Sequence, residues 1–89
     1  MPPDVTYYAV VDRFHSRERP GGVIRRLHRD YGDEDQAFTR NLRWEGTSTL
    51  HSYERGNLDN ELYKITEKEA DEIVAWIRRI VAEQRRARG

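Results

Sequence analysis

The sequence predicts an α+β fold: a small three- to four-stranded, mostly antiparallel sheet in the order β-β-β-α-β-α, with a long amphipathic C-terminal helix packed on one face. Three observations predict it. Residues 66–86, TEKEADEIVAWIRRIVAEQRR, place Ala70, Ile73, Val74, Ile77, Ile80 and Val81 at helical spacing, with Trp76 on the edge of the stripe. Upstream, Thr6-Tyr7-Tyr8-Ala9-Val10-Val11 and Val23-Ile24-Arg25-Arg26-Leu27-His28 are rich in the β-branched and aromatic residues of strands. Pro20-Gly21-Gly22, Gly32, Gly46 and Gly56 punctuate the remainder as turns and element ends. A helix with one apolar stripe needs a surface to cover, and a sheet supplies it.

Pro2 and Pro3 donate no backbone hydrogen bonds, so the chain is expected to begin with a frayed lead-in. Residues 6–11 then form a strand whose two faces, Tyr7/Ala9/Val11 and Tyr8/Val10, are both apolar; that favours a central strand covered on both sides, or else long Tyr rings bridging an edge. Residues 12–22 are polar and close on a Pro-Gly-Gly turn, with Phe14 able to fold back on the core. In the second strand, 23–28, Val23, Arg25 and Leu27 share one face and Ile24, Arg26 and His28 the other. Neither face is clean, which predicts an edge position with arginine stems lying over apolar surface. Residues 30–35 read as an acidic loop around Gly32, and 36–45, QAFTRNLRWE, as the third strand with a bulge near Asn41. Thr47 or Ser48 caps a short helix carrying Leu50 and Tyr53 inward, and Gly56 ends it. Leu58 packs over that end, and Leu62-Tyr63-Lys64-Ile65 is a fourth strand leading into the last helix. That helix opens on a capping box, Thr66 with Glu69, and its acidic start and arginine-rich end complement its own dipole.

Eighty-nine residues read as one domain, 1–89, frayed at 1–4 and 86–89. The 16 basic and 16 acidic side chains cancel. A small nucleic-acid binder draws most of its affinity from phosphate contacts and is usually basic, so neutrality counts against that function. The absence of cysteine excludes disulfides, thiolate nucleophiles and cysteine-ligated metals. No basic region precedes the first apolar run and no stretch approaches a membrane span, so the expected location is cytoplasmic. All basic residues but Lys64 and Lys68 are arginine, as in proteins from GC-rich genomes.

Few residues fall into a pattern that carries chemistry. His15, His28 and His51 have no partner at metal-ligand spacing, and neither a metal nor any other cofactor is expected. A ribonuclease of the small bacterial toxin type would use His, Arg, Tyr and Glu as acid, base and phosphate clamp. No spacing picks out such a set, so the chain is not expected to be an enzyme. The arginines offer more: Arg25, Arg26, Arg40, Arg43 and Trp44 alternate charged and aromatic groups on strands and form the candidate binding surface. Against it, Asp12, Glu18, Asp30, Asp33, Glu34 and Asp35 are numerous enough to neutralise the arginines in surface pairs. Trp76, if exposed, would anchor a subunit contact.

Tyr7-Tyr8-Ala9-Val10, the run from Phe38 to Glu45 and the run from Thr66 to Ala70 together resemble a group of small uncharacterised single-domain proteins from GC-rich bacteria. The resemblance covers about half of the chain and is one of layout. Where many of those proteins have a proline, this chain has Gly46-Thr47-Ser48. It implies the same fold outline and, because that group has no established activity, no function. The functional expectation therefore rests on the residues: a non-enzymatic accessory module that associates with a protein partner or with itself. The alternatives are weak nucleic-acid binding through the arginine and aromatic sheet surface, and a small ribonuclease-like toxin.

Overall fold

The computed structural model describes residues 4–11, 20–50, 56 and 61–88. Five strands, β1 (Val5–Val11), β2 (Gly22–Arg29), β3 (Gly32–Phe38), β4 (Trp44–Gly46) and β5 (Glu61–Ile65), precede the helix α1 (Glu67–Arg88). They form one antiparallel sheet in the order β4-β3-β2-β1-β5. The α+β class and the terminal helix are as expected; the strand count and order are not.

The largest correction falls on residues 30–35. Instead of an acidic loop, Asp33, Glu34 and Asp35 lie within β3, and only Asp30 and Tyr31 form the turn, relieved by Gly32 at φ +129°. Aspartate is a poor strand former in isolation. Here Asp33 is opposite His28 and Asp35 is opposite Arg26, so cross-strand charge pairing outweighs intrinsic propensity. The same pairing explains a second correction. β2 is the middle strand, not an edge: Val23 and Ile24 are buried on its two faces, and its arginines are matched by the acidic strand beside it.

Residues 36–45 are likewise not one bulged strand. The chain leaves β3 at Phe38, reverses through 39–43 and returns as β4. Thr39 N–H donates to the Arg43 carbonyl at 3.1 Å, and Leu42 N–H to the Thr39 carbonyl at 2.9 Å. This is a three-residue hairpin loop whose last residue takes a left-handed conformation. That residue is Leu42, at φ 61°, where glycine is usual. The strain is of order 1 kcal/mol and is offset by packing the Leu42 side chain against the core.

Alternation along the strands puts Tyr7, Ala9, Val23, Arg25, Gln36, Phe38 and Trp44 on one face and Thr6, Tyr8, Ile24, Arg26, His28, Asp33, Asp35 and Glu45 on the other. The first face is the one α1 covers. Ala9, Val23, Phe38, Ala70 and Ile73 form its buried cluster, with Val74 and Ile77 packed against it. The capping box is present: Glu69 N–H donates to Thr66 Oγ1 and Thr66 N–H to Glu69 Oε1, both at 3.1 Å. Thr49 and Leu50 are helical and Leu50 is buried, while the rest of the expected short helix, Tyr53 included, lies outside the described residues. So do Phe14, His15, His51, Leu58 and the arginines between 12 and 19. Gly56 has the left-handed φ expected of it, +75°. Among the described residues no helix is long and apolar enough to cross a membrane.

Candidate functional site

The five candidate residues do not share a face. Arg25 and Trp44 lie on the side that α1 covers, where the Arg25 guanidinium stacks 4.3 Å from the Trp44 ring centroid and its Nε donates to Gln36 Oε1 at 2.8 Å. Trp44 in turn meets Phe38 edge-on at 5.4 Å and Tyr7 at 6.4 Å. This is a rim of aromatic packing beside the core, and Arg25 closes it. Arg26 lies on the opposite face and grips Asp35 with a two-point fork, Nε to Oδ1 at 2.8 Å and Nη2 to Oδ2 at 3.1 Å. Arg43 reaches Glu45 at 3.4 Å. Arg40, on the hairpin loop, is exposed and forms no ion pair among the described residues.

The polar face carries an arrangement with no signal in the sequence. His28 Nε2 is 2.7 Å from Thr6 Oγ1, and His28 Nδ1 is 3.1 Å from Asp33 Oδ1. Asp33 also lies 3.7 Å from Arg26. The chain Thr6–His28–Asp33–Arg26–Asp35 thus straps β1, β2 and β3 together. A hydroxyl, an imidazole and a carboxylate in that order have the connectivity of a nucleophile, a base and its orienting group. Here, however, the His28 and Asp33 side chains are both 43% exposed, so water competes for every bond that would have to strengthen in a transition state. Only the register of three strands brings these residues together, and local spacing carries no trace of that.

Two of the clefts among the described residues open beside the sheet. One, of about 360 Å³, runs along the start of β1 and the β5–α1 junction and presents Asp4, Thr6, Lys64 and Glu67. The other, of about 220 Å³, lies between the β3–β4 hairpin and the last turns of α1, lined by Arg40, Asn41, Val81, Gln84 and Arg85. Among the described residues no three histidines or carboxylates are grouped to hold a metal ion.

Glu45 has a clearly displaced titration. The Thr39 hydroxyl is the largest cause, and with the Asn41 amide and the Arg43 guanidinium it holds the carboxyl below the usual range, against an opposing effect of desolvation second only to that of Thr39. Its work is to tie down the hairpin loop.

No protein-family model matches this chain, and neither a curated protein nor a solved structure matches it.

Proposed function

We propose that the chain is a non-catalytic interaction module that binds a protein partner or a second copy of itself. One observation carries this: Trp76 lies midway along α1, off the buried stripe, with 39% of its surface exposed. Exposed tryptophan is costly to leave in water and is a common anchor of protein contacts. At helical spacing Glu69, Glu72, Arg79 and Glu83 share its side of the helix. A partner that offers an apolar pocket rimmed mainly by cations would meet complementary charge along that edge.

Binding of nucleic acid by the sheet is weaker on the same grounds. Arg25, Arg26 and Arg43 already have partners within the fold, so each phosphate contact would first have to break one.

The test compares wild type with Trp76→Gln by sedimentation and by affinity capture from the native host. Association is expected to appear as a dimer, or as one reproducibly enriched protein, lost in the variant while the melting temperature holds. A wild type that sediments as a monomer and enriches nothing, or enriches RNA instead, would defeat the proposal.

A further inference from the structure

Net neutrality conceals a local imbalance. In β2 and β3 the cations have partners: Arg26 has Asp35 at 2.8 Å and Arg29 has Glu34 at 3.1 Å. At the seam between the β3–β4 hairpin and the C-terminal half of α1 they do not. The cleft there is lined by Arg40, Asn41, Val81, Gln84 and Arg85, and no carboxylate lines it. Neither Arg40 nor Arg85 forms an ion pair or a side-chain hydrogen bond with a described residue. The nearby Glu45 is held by Arg43 at 3.4 Å. We propose that this seam is a binding site for one oxyanion of the phosphate class, held between the Arg40 and Arg85 guanidiniums.

Charge, size and surroundings all bear on that assignment. The C-terminal end of a helix disfavours anions, but by the equivalent of only about half a charge, against two full guanidinium charges. Pockets for whole small molecules run to roughly 300–1,000 Å³. At about 220 Å³ this cleft suits a head group, with the body of its carrier left in solvent. Guanidinium forks match the geometry of phosphate oxygens, and Gln84 can supply a neutral donor, whereas the Asn41 amide is engaged by Glu45. The aromatic rings near the seam are already covered: Arg78 lies 5.4 Å from the Phe38 centroid and Arg25 4.3 Å from that of Trp44. A base-stacking platform of the kind that tracks single-stranded nucleic acid is therefore not offered here. The loop bearing Arg40 and Asn41 is pre-set by the left-handed Leu42 and its contact with the core, so the hairpin side of the site is in place before any ligand arrives.

This site goes beyond protein association and does not depend on it, since Trp76 is not part of the cleft. The experiment is an NMR titration of the arginine Nε–Hε groups with potassium phosphate, referenced to potassium chloride at equal ionic strength. Saturable shifts at Arg40 and Arg85 are expected. Each of Arg40→Gln and Arg85→Gln should weaken binding about tenfold, the scale of one charged hydrogen bond. Arg86→Gln removes the same charge from the same helix outside the lining and should change little. A short single-stranded DNA is the second probe. Tighter binding than phosphate at the same two arginines makes the carrier a nucleic-acid backbone; no tighter binding makes it a phosphate monoester. The proposal is overturned if phosphate produces no shift beyond chloride, or if Arg86→Gln weakens binding as much as Arg85→Gln.

Discussion

Under α1 the sheet presents Ala9, Val23 and Phe38 to Ala70 and Ile73, whereas its opposite face joins Thr6, His28, Asp33, Arg26 and Asp35 by hydrogen bonds and ion pairs. The apolar face is non-directional; any side chain of about the right volume serves it. The polar face is directional, and each of its groups has meaning only in the presence of the next. Burial also grades it from end to end. The Asp35 side chain is 2% exposed and Arg26 14%, but Asp33 and His28 are 43% exposed. One face thus supplies most of the folding free energy. The other fixes which strand lies beside which, because a shift of β3 against β2 would bury Asp35 without Arg26.

The largest effect is expected where the apolar face is broken outright. Ile73→Asp places a carboxylate among Ala9, Val23 and Phe38 with no partner. A loss above about 4 kcal/mol is expected, comparable with the whole stability of many small domains. Far-UV circular dichroism should report an unfolded chain; a native spectrum with an unchanged melting temperature would show that α1 does not cover that face.

Next comes the buried end of the polar face. Asp35→Ala leaves the Arg26 guanidinium mostly buried and without its fork, and should cost about 3 kcal/mol by chemical denaturation. Replacing both partners, Arg26→Met with Asp35→Leu, should recover most of that loss, because the charges then no longer need to be desolvated. If the double variant is as unstable as the single one, the pair is a net source of stability and the two faces differ less in how they stabilise the fold. At the exposed end the same chemistry should count for little: His28→Ala is expected to cost less than about 1 kcal/mol. A loss as large as that of Asp35→Ala would mean that the Thr6–His28–Asp33 strap, not burial, governs the face.

The contrast between the faces also explains what could be read in the sequence. The Thr66–Glu69 capping box and the Ala70-to-Val81 stripe are local patterns, and both are present as read. The third strand is not local. Asp33-Glu34-Asp35 resembles a loop until Arg26 and His28 are known to stand opposite, and that knowledge requires the register. Leu42 gives no sign of its left-handed conformation, because its reward is a contact with the core and not a backbone preference. Once the loop 39–43 is a hairpin, Arg40 and Arg43 leave the single third strand expected to carry them with Trp44, and Arg40 lines a cleft with Arg85, more than forty residues away. The candidate surface was therefore legible as composition and illegible as geometry.

The smallest effect belongs to Glu45, at the edge of the polar face, where the sheet hands over to the hairpin loop. The Thr39 hydroxyl, the Asn41 amide and the Arg43 guanidinium favour its ionised form, so its carboxyl in the folded protein titrates below the usual carboxylate range. The folded state therefore releases this proton more readily than the unfolded one. The linked stabilisation is fully present above the unfolded pKa and is lost as the pH falls through the folded pKa. Glu45→Gln removes the charge without changing the size of the side chain. Melting temperatures of wild type and variant should differ most at neutral pH and converge in acid, with the Thr39 and Asn41 amide signals moving over the same range. A difference that persists unchanged into acid would mean that Glu45 acts by packing alone. In that case the hairpin would be held by Leu42 and Trp44 on the apolar side, and the polar face would end at β3.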